Sequence, residues 1–346
     1  MVRIGMNPAR DRVSDYCPAR VTVAVLVYIP YLSGYFQHRL DVLKLCLATI
    51  FKHTNEPFDL LVFDNGSCQE VKEYLRSLQE SGAIQYLITA GENIGKIGAF
   101  KLMFKAVPGE VIAYTDDDIF FYPGWLKAHL ELLDGIPRVG MVSGCAVRTL
   151  YDHGISSNLE LARQDSEVQL IRGQNIPETR EIDWAESYGR DVEAHLKALK
   201  EMEDIQIERR GLRAYAVANH NQFVTPKTVI NQFIPHEWSG RLMGLMYELD
   251  VAVDEGGYLR LSTLERTTRH MGNMVSPSLA EEASRLRLSL RPTRIHSVGG
   301  DRPGIIKRLI RWQPLRWFLH GLYNRLFWLL SEQKGGWREK ERSEEL

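Results

Sequence analysis

The sequence predicts an α/β protein: a mostly parallel sheet flanked by helices. Apolar, β-branched runs of strand length, such as VTVAVLVYI and FDLLVF, alternate with segments whose apolar residues recur at helical spacing. Turn formers close each run, and this alternation implies right-handed βαβ units. The chain of 346 residues, 44% hydrophobic and 25% charged, has ample material for a packed core, which excludes wholesale disorder.

The elements follow in order. Val21–Ile29 is a buried strand stopped by Pro30, and Leu40, Leu43, Leu47, Ile50 and Phe51 then mark a helix. Phe58–Phe63 is a second strand, ending in Asp64-Asn65-Gly66-Ser67. A polar helix near Gln69–Ser81, a strand at Ile84–Thr89, the loop GENIGKIG and a helix at Ala99–Ala106 come next. Strand Val111–Thr115 runs into Asp116-Asp117-Asp118, followed by helix Gly124–Asp134 and strand Val139–Ser143. Residues 150–212 are charge-dense and read as a helical insertion, before strand-like LRAYAVAN and QFVTP. Residues 1–20 read as a polar tail, 21–280 as the main domain (21–148, 150–212 and 213–280) and 281–346 as a basic, aromatic tail.

In that last tail, Leu315, Phe318, Leu319, Leu322, Leu326 and Leu329 form one helical stripe, and Trp312, Trp317, Trp328 and Trp337 are close by. Such a basic amphipathic helix, over 305–331, is the composition of an interfacial membrane contact or of a helix packed on protein. No stretch reaches the ~18 apolar residues that would span a bilayer. The polar start lacks a signal-peptide core, and the cysteines Cys17, Cys46, Cys68 and Cys145 form no CxxC pair, so a reducing, cytoplasmic setting is expected. A net charge of −1 argues against a nucleic-acid partner held by bulk charge.

In a parallel sheet, strand ends pointing the same way build one crevice where ligands bind. Those ends carry Asp64-Asn65-Gly66-Ser67, then Asn93-Ile94-Gly95, then Asp116-Asp117-Asp118. Three adjacent carboxylates repel one another, and a divalent cation would relieve that repulsion. GENIGKIG is no dinucleotide fingerprint, since Gly91, Gly95 and Gly98 fall outside the G-x-G-x-x-G frame.

DNGS after the second strand, N-x-G before a helix, and strand–DDD followed by F-x-x-P-G-W-L together resemble the nucleotide-sugar-binding half of a family 2 glycosyltransferase with the GT-A (Rossmann-like) fold. The resemblance covers Val21–Arg148 and resumes around Leu245–Asn273. It implies that Asp64 accepts from the nucleotide base with Ser67 nearby, and that Asn93 and Gly95 sit against the nucleoside. It implies further that Asp116 and Asp118 are the ends of an Asp-x-Asp motif with Asp117 between them. Asp118 would bind Mn²⁺ or Mg²⁺, and Asp116 would face the ribose or a metal-bound water. His270 stands where a late histidine completes a metal shell. The family's acidic base motif falls on YELDVAVDEGGY, which offers Asp250 first, Glu248 second, and Asp254 as a loop or helix-end residue. Trp125 and Trp238 are candidates for sugar stacking or for the core, and His220 for the acceptor cleft.

The activity implied is a metal-dependent, inverting transfer from a nucleoside-diphosphate sugar to a hydroxyl, with a lipid-linked saccharide or surface polysaccharide as acceptor if the tail lies on a membrane. A sugar nucleotidyltransferase and a non-catalytic binding module of the same fold are the alternatives.

Overall fold

The computed structural model describes residues 16–235 and 246–286 and positions 7, 9, 242, 243, 288 and 322. Pro18–Ser297 form one compact unit; of the second unit, Met1–Cys17 with Val298–Leu346, only positions 7, 9, 16, 17 and 322 are described. Trp238 and the expected helix over 305–331, Leu322 apart, lie outside the described residues.

Strands β1 (Val21–Val27), β2 (Phe58–Asp64), β3 (Tyr86–Thr89) and β4 (Val111–Asp116) run parallel, with β1 between β2 and β4. Helices α1 (Arg39–His53), α2 (Gln69–Glu80) and α3 (Lys96–Ala106) connect them. Every residue of β1 and β2 is buried, because both sheet faces are covered. Pleating divides the load: Val21, Val23, Val25 and Val27 pack with Leu43 and Leu47 of α1, whereas Ala24 and Leu26 pack with Phe100 and Phe104 of α3. Truncating any of these large side chains to Ala would cost about 2–5 kcal/mol.

Next come β5 (Ile119–Phe121), α4 (Trp125–Gly135), β6 (Val139–Ser143), a 3-10 turn at Arg148–His153 and α5 (Ser156–Gln164). They are followed by β7 (Val168–Gly173), α6 (Glu178–Ser187), α7 (Val192–Leu199), β8 (Asp204–Arg209) and β9 (Leu212–Tyr215). The chain then forms β10 (Gln222–Pro226), α8 (Lys227–Phe233), α9 (Met246–Glu255), β11 (Leu259–Thr263), β12 (Thr268–His270) and α10 (Pro277–Arg285).

The large sheet has the order β3-β2-β1-β4-β10-β6-β11-β9-β8-β7. From the pairings, β3, β2, β1, β4, β6, β11 and β8 point one way and β10, β9 and β7 the other. The expected α/β architecture with a mostly parallel sheet is therefore present. The helical insertion needs correction. Residues 150–212 contain α5, α6 and α7, but also β7 and β8, which pair antiparallel and extend the sheet edge beside β9. The reason is in DIQIER: the buried Ile205 and Ile207 alternate with polar residues in a period-2 sequence pattern that surrounding charges disguise as helix. No helix among the described residues is long and apolar enough to cross a membrane.

Two features of this fold set the site. Register aligns Val27 with Asp64 on one side of β1 and Leu26 with Asp116 on the other, so both acids emerge at one edge. A small separate sheet pairs β12 with β5, placing His270 opposite Ile119, next to Asp118.

Candidate functional site

A cleft of about 300 Å³ opens at the C-terminal ends of β1, β2 and β4. It is lined by Asn65, Asn93, Arg39, Lys96 and the triplet Asp116, Asp117 and Asp118, with Leu242 and Met243 on its rim. The turn after β2 is built from its own acid: Asp64 Oδ1 accepts the Ser67 amide at 2.9 Å, and Ser67 Oγ accepts the Ile29 amide at 3.1 Å. Ser67 is thus spent on fixing the turn and does not line the cleft. Asp64 Oδ2 is buried and has no hydrogen-bond partner among the described residues.

Asn65 clasps the next loop. Its Nδ2 donates to Asn93 Oδ1 at 3.0 Å, and its Oδ1 accepts the Ile94 amide at 3.0 Å. Asn93 Oδ1 also accepts the Gly95 amide at 2.8 Å, just before α3. The loops approach so closely at Gly66 (φ +87°) that a Cβ there would lie 2.7 Å from the Glu92 carbonyl carbon. Gly95 (φ +77°) likewise turns the chain into α3.

The triplet splits three ways. Asp116 accepts from Lys96 Nζ at 2.8 Å and from the Tyr114 hydroxyl. Asp117 pairs with Arg39 Nη2, and Asp118 Oδ2 takes Arg39 Nη1 at 2.7 Å. His270 Nε2 lies 3.3 Å from the same Asp118 oxygen, while its Nδ1 meets Ser187 Oγ at 2.8 Å and Tyr188 stacks on its ring. Burial pushes the Asp118 carboxyl up, but His270 and Arg39 outweigh it and hold the group well below the ordinary carboxylate range. Asp117 moves the opposite way: burial and its two acidic neighbours outweigh Arg39 and raise it. Three carboxylates against Lys96 and Arg39 leave the rim one negative charge in excess when His270 is neutral.

Arg39 carries no sequence signal for this site, and its side chain and that of Lys96 are both buried here. Asp118 Oδ1 and Asp117 Oδ2 are buried without partners among the described residues, so the acidic rim keeps acceptor capacity in hand. Unpartnered carboxylate oxygens of this kind suit a hard divalent cation such as Mn²⁺ or Mg²⁺, and Asp118, with His270 beside it, could hold one.

The remaining candidates stand apart from the triplet. Glu248 is exposed on α9, whereas Asp250, on the same helix, is completely buried. Asp250 Oδ2 receives His220 Nδ1 at 2.8 Å and His153 Nδ1 at 2.9 Å, with Arg260 Nη2 at 3.3 Å. These contacts occupy Oδ2 only, and Asp250 Oδ1 is buried with no hydrogen-bond partner among the described residues. Asp254 caps α5: its oxygens take both amides and both hydroxyls of Ser156 and Ser157. Trp125 is core, its Nε1 donating to Thr54 Oγ1 at 2.9 Å.

Residues 35–180 match the family model "Glycosyl transferase family 2". An uncharacterized glycosyltransferase of Rickettsia bellii is 25% identical over 128 residues, covering 37% of this chain and 16% of that protein. Another, from Nostoc sp., is 26% identical over 100 residues, covering 29% of this chain and 31% of its own. The chain thus spans less than a third of the length of these curated relatives. Among solved structures, Staphylococcus aureus TarS 1–349 aligns with TM-score 0.41 and 13% identity over 77% of this chain and 64% of that one. Glucosyl-3-phosphoglycerate synthase from Mycobacterium tuberculosis, in complex with Mg²⁺ and UDP, aligns with TM-score 0.39 and 12% identity over 78% and 76%. The mannosyltransferase PcManGT from Pyrobaculum calidifontis, in complex with GDP-Man and Mn²⁺, aligns with TM-score 0.31 and 20% identity over 43% and 42%.

Proposed function

We propose that this chain, a family 2-like glycosyltransferase, moves a sugar from a nucleoside-diphosphate donor to a hydroxyl of a saccharide acceptor, with inversion at the anomeric carbon. One observation carries the reading: Asp116, Asp117 and Asp118 share a cleft with Asn65 and Asn93 at the edge where three parallel strands end. An acidic rim able to hold a divalent cation, beside a pair of amide side chains, suits a ligand that is polar at the nucleoside and polyanionic at the diphosphate.

The contacts support the following roles. Asp64 Oδ2, buried and unpartnered, accepts from the nucleotide base, and Asn93 and Gly95 lie along the nucleoside. Asp116 faces the ribose, and Asp118 with His270 would hold the divalent cation. That cation supplies neutralising charge for the departing nucleoside diphosphate. Lys96 and Arg39 hold the triplet together without ligand and offer positive charge to the diphosphate oxygens as the sugar bond breaks. The acceptor oxygen attacks from the opposite side, in a single in-line displacement.

The test is nucleotide binding followed by turnover. UDP or GDP at 100 times its Kd should stabilise the fold by about 2.7 kcal/mol with Mn²⁺ present and much less without it. Asp118→Asn should remove the metal dependence, and a donor-hydrolysis screen across nucleotide sugars should find a substrate. Neither nucleotide shifting the melt in Mn²⁺, together with no turnover of any donor, would refute the reading.

A further inference from the structure

We propose that the imidazole of His220, held by Asp250 and Arg260, takes the acceptor's proton. The inference rests on the glycosyl-transfer reading of the cleft and changes the identity of the base from carboxylate to imidazole. Asp250 is fully buried, and its Oδ2 already receives His220, His153 and Arg260. Burial pushes its carboxyl up, but Arg260 and the two histidines outweigh that and hold it down to about 2. An ionised carboxylate only accepts. Each ring therefore donates through Nδ1 and, in its neutral form, carries its lone pair on Nε2. A buried carboxylate that fixes the tautomer of a partly exposed imidazole is the arrangement of an oriented general base.

Arg260 braces this pair. It lies on β11, fully buried between Leu259 and Leu261, and donates to the carbonyls of His153 at 3.1 Å, Gly154 at 3.2 Å and Ala218 at 2.7 Å. It therefore ties down the segments carrying both histidines as well as contacting Asp250. The two rings lie parallel with centroids 6.1 Å apart, and both are partly exposed. Of the two, His220 is the one whose chain neighbour, Asn221, contacts residues of the donor cleft. The carbonyl of its neighbour Asn221 accepts the Asp116 amide at 2.9 Å. The Asn221 side chain contacts Tyr188, whose ring stacks on His270. His153 instead ends the 3-10 turn and faces Tyr247.

In the step, the acceptor O–H bond breaks and its proton passes to His220 Nε2 as the oxygen bonds to the anomeric carbon. The carbon–phosphate-oxygen bond breaks, and its electron pair leaves on the nucleoside diphosphate. The imidazolium then returns its proton to water. A metal is the competing use of these three ligand atoms, which lie within 4.8 Å of one another. The Arg260 guanidinium on the same carboxylate oxygen opposes a second cation there.

The experiment uses the full chain with Mn²⁺ and the donor found by the screen. His220→Gln should lower kcat by roughly 10²–10⁴-fold while nucleoside-diphosphate Kd stays within about twofold. His153→Gln should cost less, and added imidazole should restore part of the rate of His220→Gly. Histidine ¹⁵N NMR of the wild type should show His220 protonated at Nδ1, and Asp250→Asn should lose that preference together with kcat. An active enzyme whose His220 carries its proton on Nε2, or a His220→Gln variant with wild-type kcat, overturns the assignment alone. So does Zn²⁺ or Mn²⁺ that loads wild type at His153 and His220 and is lost in His220→Gln. A wild type that turns over no nucleotide sugar instead sinks the transfer reading and the base assignment with it.

Discussion

Replacing Arg39 by Met removes the cation that Asp117 and Asp118 share. The guanidinium holds Asp118 at 2.7 Å, pairs with Asp117 and donates to the Gly272 carbonyl at 3.0 Å, and all three side chains are largely buried. Without it, Lys96 stays with Asp116 and His270 with Asp118, and the rim carries two negative charges in excess instead of one. Breaking a buried pair in this way costs about 3–5 kcal/mol, because the partner left behind is charged and uncompensated. For a compact unit of this size the melting midpoint should fall by roughly 5–10 °C. A divalent cation is the natural replacement. Mn²⁺ at 100 times its Kd should return about 2.7 kcal/mol to the variant. Its Kd for the variant should be at least ~10-fold lower than for wild type, because a repelling charge has gone. Thermal melts and calorimetric Mn²⁺ titrations of both proteins read these quantities. An Arg39→Met protein as stable as wild type in chelator, or one whose deficit Mn²⁺ leaves untouched, would refute the idea that the triplet is a cation site.

Three more outcomes follow from neighbouring contacts. Gly66→Ala places a Cβ 2.7 Å from the Glu92 carbonyl carbon at a φ of +87°, so stability should drop by about 2 kcal/mol or more, and nucleotide affinity should fall as Asn93 is displaced, both read by calorimetry. Asp254→Ala strips the cap from α5 and should cost roughly 2–3 kcal/mol in urea unfolding while leaving nucleotide Kd unchanged. Burial lowers His129 from an ordinary 6.5 to about 4 against the pull of the Trp125 carbonyl and Gln222. Between those pH values the unfolded chain binds a proton that the folded one refuses. This contribution is therefore complete above pH 6.5 and falls by about 3 kcal/mol on acidification to pH 4, a slope that His129→Gln should flatten.

Much of this architecture can be read from residues alone, for identifiable reasons. β1, β2 and β4 are buried on both faces, so their sequences are near-continuous apolar runs, and the polar residues that end them have to lie at the sheet edge. Asp64 and the aspartate triplet were visible for that reason. β7 and β8 were not: Arg172, Glu208 and Arg209 break their apolar pattern at a partly exposed edge, which reads as a charged helix. The cations of the cleft were hidden by distance in sequence, Arg39 meeting Asp118 across 79 positions and Lys96 meeting Asp116 across 20. One residue in the sequence flags the Asp250 centre. An arginine between Leu259 and Leu261 in a buried strand requires a buried anion, and Asp250 is that anion. His153 had no such flag, because its role depends on a turn that packs against α9 only in the folded chain.

Diffraction at the manganese absorption edge, from crystals grown with Mn²⁺ and a nucleoside diphosphate, reads the position of the cation directly. The expected map has one anomalous peak between Asp118 and His270, with the nucleoside beside Asn93 in the cleft. A peak at His153, His220 and Asp250 with none at the aspartate triplet, or a nucleotide bound elsewhere, would contradict it.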